Sequence, residues 1–457
     1  MNSFLEYLQS VLDTSAAWLW GLPMTLLLLG THLWMTFRTR GVQRKMWTAL
    51  RLSVGGGKGA GDISSFGALM VALAATMGTG NIIGMGTAVA LGGPGAILWC
   101  WLTGLLGIAT KYAESLLAVK YRVKDEEGHL LGGAMVLLDK VLHCRWLAVL
   151  FCLFTIFAAF GIGNMNQSNA VAVLVEQHFN VPAWMTGLAV AALVGLVTLG
   201  GIRSLSRVCT WLVPFMAVFY IAGCLVLLGR HWDLLGPAVG LIVRDAFTPA
   251  ATMGGITGGG ILLSMRYGLA RGLFSNEAGM GSSPIVSASA KTKNAVEQGL
   301  IASTAVFWDT VVVCALTGLV LVTSVLAYPD MQFEDGAVLA TQAFAKLHRW
   351  GGPVMTVALI TFVFSTLLGW SYYAESSIRY LGGCRWIPFF RLVWIAAVFL
   401  GAVVHLNLVW SFSDCANALM AIPNLIAVVL LGRTVRKETD YYLYGRHLDE
   451  EDAEIQQ

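Results

Sequence analysis

The 457-residue chain is 57% hydrophobic and 12% charged, and its mean hydropathy is +0.70. These values lie far outside the range of soluble globular domains and indicate a protein with many membrane spans. The net charge of +3 is too small to indicate a nucleic-acid partner, and basic loops beside the spans account for it. The eight cysteines form no CxxC pair and lie mostly in apolar runs, so we interpret them as small core residues.

Windows of about 20 apolar residues predict an all-α polytopic membrane protein. Eleven such windows occur, at residues 15–37, 64–90, 95–119, 146–178, 182–201, 208–229, 254–290, 299–327, 353–381, 386–405 and 408–432. The fourth and seventh windows are too long for one straight crossing, so we expect them to tilt, bend or project.

Basic residues are concentrated in alternate loops. The loop after the first span carries Arg38, Arg40 and Arg44, and the loop after the third carries Lys120 and Arg122. By the positive-inside rule, both loops are expected in the cytoplasm. Alternation of the spans then predicts an N-terminus outside the cell and a C-terminus in the cytoplasm.

The second window is interrupted by a polar, glycine-bearing centre, Gly78-Thr79-Gly80-Asn81. Glycine costs about 1 kcal/mol relative to alanine inside a helix. Lipid cannot satisfy the backbone groups that a broken helix frees. The break must therefore face protein, water or a ligand.

The seventh window has the same character, with a polar, glycine-bearing stretch at residues 272–281. The predicted orientation makes the two interrupted windows run in opposite directions through the membrane. Paired broken segments of this kind mark the binding site of secondary transporters that are built from inverted repeats. We therefore expect a binding site where the two breaks meet.

Three long motifs carry a resemblance to a known family. They are GTGNIIGMGTAVALGGPGAILWCWLTGLLGIATKYAESLLAVKYR at 78–122, VPFMAVFY at 213–220 and RGLFSNEAGMGSSPIVSASA at 271–290. They resemble the signatures of the alanine or glycine:cation symporter family of bacteria and archaea, and the likeness covers about residues 20–436. It implies a leucine-transporter-like 5+5 inverted repeat with one extra N-terminal helix, in the plasma (inner) membrane of a bacterium.

The resemblance divides the chain into four regions. Residues 1–62 are expected to form the extra transmembrane helix and a basic cytoplasmic loop, and residues 63–235 the first five-helix repeat. Residues 236–407 are expected to contain the second repeat, and residues 408–457 the last transmembrane helix and a cytoplasmic tail.

The first break offers groups for both an anion and a cation. The exposed amides that begin the second half-helix favour a carboxylate, and the carbonyls that end the first favour a cation. Substrate contacts are therefore expected at Gly78, Thr79, Gly80 and Asn81. Alternatively, Thr79 and Asn81 bond only to neighbouring backbone.

Residues of the second break are implied by the resemblance to complete the substrate site. Phe274, Ser275 and Asn276 are expected to line the pocket and receive the ammonium group, and Gly279 is expected to let the chains approach closely. Met280 would add bulk that excludes larger amino acids, or alternatively would pack in the core.

Further polar residues lie at membrane depth. Gln167 matches a family position that contacts the amino group of the substrate, and an interhelical hydrogen bond is the alternative. The roles of Glu277, Asp309 and Asp414 stay open; Glu277 either anchors unwound backbone or belongs to the coupling path, where a carboxyl group can carry a proton. In the third window, Lys111 and Glu114, one turn apart, are interpreted as a snorkelling ion pair, like Glu375 and Arg379 near the end of the ninth window.

Hydroxyl groups of the ninth window are candidate Na⁺ ligands. In leucine-transporter-like folds, hydroxyl side chains here join carbonyls of the first broken helix around the ion. Thr361, Ser365 and Thr366 lie on roughly one helix face, and oxygen suits a hard cation. The backbone near Ala75 and Gly78 is expected to complete the site.

These features predict a secondary active symporter, not an enzyme, that imports glycine or L- or D-alanine with Na⁺ by alternating access. H⁺ is the alternative coupling ion, as in a proton-coupled amino-acid permease of the same fold. An intramembrane enzyme or a channel is a remote alternative, because the sequence has no HExxH, GxSxG or CxxC motif and no filter-like repeat. We expect a monomer in the lipid bilayer with no nucleic-acid partner.

Overall fold

A computed structural model describes residues 2–55, 59–248, 251–253, 256–258, 260–331, 336–404 and 407–456. The predicted seventh window begins at residue 254, which lies outside these ranges. Most of the described chain is helical, as predicted.

The N-terminal part contains α1 (Asn2–Leu19), α2 (Leu22–Arg38), a 3₁₀ turn (Val42–Lys45) and α3 (Met46–Val54). The first interrupted span follows, as β1 (Ile63–Ser64), α4 (Ser65–Thr76), a π-helical turn (Gly80–Gly84) and α5 (Met85–Gly92). Ser64 caps α4, because its hydroxyl oxygen accepts a 3.0 Å hydrogen bond from the Gly67 N–H.

The rest of the first half runs through three long helical spans and one short one. It contains α6 (Ala96–Lys120), β2 (Val123–Lys124), β3 (Leu130–Leu131), α7 (Ala134–Val136), a π-helical turn (Leu137–Val141), α8 (Arg145–Ala158), a second π-helical turn (Ala159–Met165), α9 (Asn166–Phe179), α10 (Ala183–Thr198) and α11 (Gly201–Arg230).

The second half repeats the pattern of one broken and several continuous spans. It contains α12 (Trp232–Ala246), β4 (Ala251–Met253), β5 (Ile256–Gly258), α13 (Gly260–Asn276), α14 (Pro284–Ser287), β6 (Ala290–Lys291), α15 (Ala295–Val306), a π-helical turn (Phe307–Cys314), α16 (Ala315–Ala327), α17 (Gly336–Leu347), α18 (Gly351–Gly382), a 3₁₀ turn (Cys384–Trp386) and α19 (Ile387–Val403). The chain ends with α20 (Asn407–Leu430), α21 (Gly432–Glu438), a π-helical turn (Thr439–Tyr444) and α22 (Ala453–Gln456).

The helices account for the predicted spans. Within the described ranges, eight helices are long and apolar enough to cross a membrane, and the pair α4 and α5, bent by 53°, makes nine. The short apolar α10 and the broken segment of α13 and α14 occupy the two remaining windows. Helices α12 and α17 were not predicted, because each is shorter than a membrane crossing.

The two broken segments run in opposite directions. Strand β1, which begins the first segment, pairs in parallel with β6, which ends the second, so that Ile63 lies opposite Ala290. The Arg122 guanidinium also joins this end of the bundle, since it donates to the carbonyl oxygens of Ala60 at 3.0 Å and Ala290 at 3.0 Å. We refer to this end of the molecule as the β1/β6 end.

Helix α18 crosses directly behind the first break. A Cβ atom at Gly369 would lie 2.6 Å from the backbone N of Ala75, so only glycine lets α18 approach α4 this closely. The approach brings the preceding turn of α18 beside the last turn of α4.

Candidate substrate and ion site

Oxygen atoms of α18 and of the first break lie close together. The Ser365 hydroxyl lies 3.3 Å from the carbonyl oxygen of Ala74, and the Thr366 hydroxyl lies 3.1 Å from that of Met77. All four residues are buried. Two hydroxyls and two carbonyls are the kind of ligand that Na⁺ prefers. The carbonyls that reach α18 are each one residue before the predicted Ala75 and Gly78.

Thr361 lies apart from this cluster. Its hydroxyl donates to the carbonyl oxygens of Val357 at 3.0 Å and Ala358 at 2.9 Å, within its own helix. Among the described residues it makes no hydrogen bond to the first broken segment. The structure therefore brings Ser365 and Thr366 to the break, but not Thr361.

A buried hydrogen-bond network joins the two broken segments. The Asn81 side chain accepts from the Gly78 N–H at 2.8 Å and donates to the Ser275 hydroxyl at 3.0 Å and the Asp309 carboxylate at 2.7 Å. The Ser275 hydroxyl donates to the same carboxylate at 2.8 Å. Asp309, whose role the sequence left open, therefore holds Asn81 and Ser275 together.

A small cavity of about 20 Å³ lies between the breaks. This volume holds roughly one water molecule, for which about 10–15 Å³ is the minimum. The structure is therefore closed around the cavity. Its lining comprises Ala75, Thr76, Gly78, Gly80, Ile162, Gln167, Phe274, Ser275, Glu277, Thr366, Trp370 and Asn417.

Five of the predicted substrate residues, Gly78, Gly80, Gln167, Phe274 and Ser275, are in this lining. Thr79 adjoins it, because the Gln167 amide donates to the Thr79 hydroxyl at 3.2 Å. Sequence reasoning missed the lining residues Thr76, Ile162, Trp370 and Asn417. Trp370 lies one turn after Thr366, and that i, i+4 spacing was a usable signal.

Two amide oxygens of the lining are buried without a hydrogen-bond partner among the described residues, Oε1 of Gln167 and Oδ1 of Asn417. A buried acceptor without a donor costs free energy. Both atoms can accept from a cationic or N–H group in the cavity.

Three predicted residues of the second break lie outside the cavity lining. The Asn276 amide oxygen accepts from the Ala278 N–H at 2.9 Å, so the side chain caps the end of α13. A Cβ atom at Gly279 would lie 2.6 Å from Leu28 Cδ2, which agrees with a close approach of chains there. Met280 is fully buried in the apolar core.

The Glu277 backbone has a positive φ of 52°, and its carbonyl oxygen accepts from the Lys111 ammonium at 3.3 Å. Lys111 is fully buried, and within the described chain it forms no ion pair with Glu114, so the snorkelling interpretation of this pair was wrong. The reason is tertiary: α14 and the unwound chain cover this part of α6. At the same spacing, Glu375 and Arg379 do form an ion pair, 3.3 Å long.

Two broken helices that run in opposite directions, with an oxygen cluster and a closed cavity between them, define a secondary transporter with the leucine-transporter-like fold. Solved structures agree on the fold. MhsT in complex with L-phenylalanine superposes with a TM-score of 0.60 at 14% identity, covering 87% of this chain and 96% of MhsT. A manganese transporter of Eremococcus coleocola gives 0.51 at 14% identity, covering 86% of this chain and 89% of its own.

The model of the sodium:alanine symporter family matches residues 5–456, and the chain belongs to that family. It is 45% identical over 439 residues to the sodium/alanine symporter AgcS of Methanococcus maripaludis, covering 94% of this chain and 96% of AgcS. It is 32% identical over 445 residues to the amino-acid carrier protein AlsT of Bacillus subtilis, covering 96% and 92%. The protein is thus an integral membrane transporter and not an enzyme.

Proposed function

We propose that the protein imports glycine or alanine together with Na⁺ by alternating access. The observation that carries this proposal is the group of four buried oxygens from Ala74, Met77, Ser365 and Thr366. All four are uncharged, so a bound monovalent cation would supply the only charge in that group. Na⁺ fits such a site by its oxygen ligands.

The groups that line the cavity beside this cluster suit a small zwitterion, for which the cavity must widen from its present volume of about 20 Å³. Its carboxylate would meet the amides that begin the half-helix at Gly80, where the helix dipole favours an anion. Its ammonium would donate to the buried oxygens of Gln167 and Asn417, which have no partner among the described residues. The side chains of Phe274 and Trp370 would then limit the size of the substrate.

The relatives of this chain are named for different substrates. AgcS is a sodium/alanine symporter, whereas GlnT of Bacillus subtilis, 34% identical over 445 residues, is named a probable sodium/glutamine symporter. Starting from a closed cavity of about 20 Å³, the smaller substrate needs the smaller opening, which favours alanine or glycine over glutamine.

On this proposal the β1/β6 end faces the cytoplasm of a bacterium, with the N-terminus outside and the C-terminus inside. Residues 63–235 and 236–407 are then the two inverted repeats, and residues 1–62 and 408–457 flank them. We expect one chain to transport by itself, as a monomer, because the oxygen cluster and the cavity beside it both come from a single chain.

Uptake into proteoliposomes tests the proposal. Radiolabelled alanine and glycine should accumulate when Na⁺ is imposed outside and should not accumulate when choline replaces it. Unlabelled glutamine should compete weakly. Protein-free liposomes control for leakage. Accumulation in choline under an inward pH gradient would contradict Na⁺ coupling and identify a proton-coupled permease, while stronger competition by glutamine would contradict the substrate.

A further inference from the structure

A second and larger cavity, of about 280 Å³, lies away from the β1/β6 end. Its walls come from the chain around the α1–α2 junction, from the first part of α20 and from α13. Phe274 contributes to the walls of both this outer cavity and the 20 Å³ inner cavity. The two cavities are therefore neighbours that share Phe274 as a wall residue.

The charged residues of the outer cavity balance one another. Two arginines, Arg266 and Arg271, and two aspartates, Asp13 and Asp414, line it. An excess of positive charge would favour anions, and an excess of negative charge would favour cations. A balanced set of this kind suits a ligand that carries both charges.

Two of the four charged groups already have polar partners. The Asp13 carboxylate accepts from the Gln9 amide at 2.9 Å and from the Ser411 hydroxyl. The Arg266 guanidinium donates to the Ala17 carbonyl oxygen at 3.4 Å.

Among the described residues, the other two charged groups have no such partner. In the part of the chain that the structure describes, the Arg271 guanidinium makes no ion pair or hydrogen bond, and lies 5.9 Å from the centre of the Phe274 ring. The Asp414 carboxylate likewise has none there, although the Asp414 carbonyl oxygen accepts from the Trp20 indole at 3.1 Å. Arg271 and Asp414 line the same cavity, yet within the described chain the two form no direct ion pair.

We propose that the outer cavity is a binding site for the zwitterion of an α-amino acid. Arg271 binds the carboxylate, Asp414 binds the ammonium, and Trp20 and Tyr267 supply apolar walls. Charge-assisted hydrogen bonds to the ligand would complete the two groups that lack partners. The ligand class rests on the proposed function. The substrate would then pass Phe274 to reach the inner cavity.

Sidedness is the first test. Arg271→Gln and Asp414→Asn should each raise the half-saturating alanine concentration about tenfold when alanine is added at the outer face. The same variants should leave it unchanged when alanine is added at the β1/β6 face, in vesicles of the opposite orientation. The control is Arg349→Gln, which removes an exposed arginine that does not line the cavity. An equal change at both faces would overturn the proposal.

Direct binding is the second test. A Cβ atom at Gly78 would lie 2.7 Å from the Thr366 hydroxyl and 3.5 Å from the Gln167 amide oxygen, so Gly78→Val fills the inner cavity and Gly78→Ala is the milder form. Whichever of these purified variants stays monodisperse should still bind labelled alanine, and adding Arg271→Gln should abolish that binding. Absence of alanine binding would show that Arg271 and Asp414 form no amino-acid site, and would overturn the proposal.

The two proposals can fail separately. Loss of Na⁺-driven uptake in the wild-type protein would overturn the proposed function. Alanine binding by the Gly78 variants would still decide whether the outer site exists, because that assay needs neither Na⁺ coupling nor transport.

Discussion

The first break covers residues 77–79, after which the chain resumes as a π-helical turn. The second break covers residues 277–283 and has three residues at positive φ. Uncharged hydroxyls of α18 contact the carbonyls of the first break. Around the second break, the groups that hold the backbone include the buried ammonium of Lys111 and the Asn424 amide, which donates to the Gly279 carbonyl at 2.9 Å.

This difference indicates different roles for the two breaks. At the first break, neutral hydroxyl and carbonyl oxygens contact each other, and a bound cation can replace these contacts. The geometry of the first break therefore responds to the ion. The second is fixed by a charged donor, by the Asn276 cap and by the hydrogen bond from Ser282 to Glu277, 2.6 Å long. We therefore expect substitutions at the second break to lower stability, and substitutions at the first to alter ion and substrate binding.

The largest expected effect is that of Lys111→Met. It leaves the Glu277 carbonyl without its donor and removes the cation from the buried carboxyl groups of Glu114 and Glu277. Removing one partner from a buried charged group costs about 3–5 kcal/mol. Thermal melting in detergent should show a fall of many degrees. Lys120→Met, at the partly exposed end of the same helix, is the control, and its melting temperature should fall less. Equal falls would contradict a special role for the buried lysine.

Met280→Ala is expected to have the next largest effect. Met280 is fully buried in the apolar core and does not line the inner cavity, so truncation should cost about 2–5 kcal/mol through loss of packing. Competition against labelled alanine by amino acids of graded size should keep its wild-type order. Trp370→Phe, which does alter the lining, should admit a larger competitor. Stronger competition by valine in Met280→Ala alone would show that Met280 sets the size limit after all.

At the first break, Ser365→Ala and Thr366→Ala should each raise the Na⁺ concentration for half-maximal transport. If the proposed ion site is right, each variant removes one oxygen ligand, and a contact to a charged group is worth roughly 1.5–3 kcal/mol, or about tenfold or more. By linkage, alanine affinity should fall at low Na⁺ and recover at high Na⁺.

Thr361→Ala is the matched control for this pair, because its hydroxyl bonds only within α18 in the described structure. Its Na⁺ dependence should equal that of the wild-type protein. A shifted Na⁺ dependence in Thr361→Ala, with none in the other two variants, would place the ion site near Thr361 and contradict the proposed site.

The smallest expected effect is that of Asn276→Ala, which removes the acceptor of the Ala278 N–H. Loss of this one hydrogen bond should cost about 1–3 kcal/mol, visible as a modest fall in melting temperature. Asn169→Ala, which removes a hydrogen bond to Gly401 outside the site, is the control. A sharp loss of alanine affinity at an unchanged melting temperature would instead identify Asn276 as a direct substrate contact.

Much of the fold could be predicted from the sequence because its signals are local. Apolar windows of membrane length and glycine-bearing interruptions each report on one segment, and the eleven windows all contain helices. Helices α12 and α17 were missed because their length carries no membrane signal. For the site, the motifs identified Gly78, Gly80, Phe274 and Ser275, and the family resemblance implied Gln167; all five line the inner cavity.

What only the tertiary structure decided is which of several equivalent side chains face each other. Spacing places Thr361 and Ser365 on roughly one face of α18, but the close approach at Gly369 selects the turn that meets α4. Likewise, nothing near Lys111 in the sequence reveals that the second break covers it. Arg271 and Asp414 line one cavity only because the fold brings α13 and α20 to its walls. Periodicity sets the direction of a side chain on its own helix, whereas its partner is set by the packing of helices that are distant in sequence.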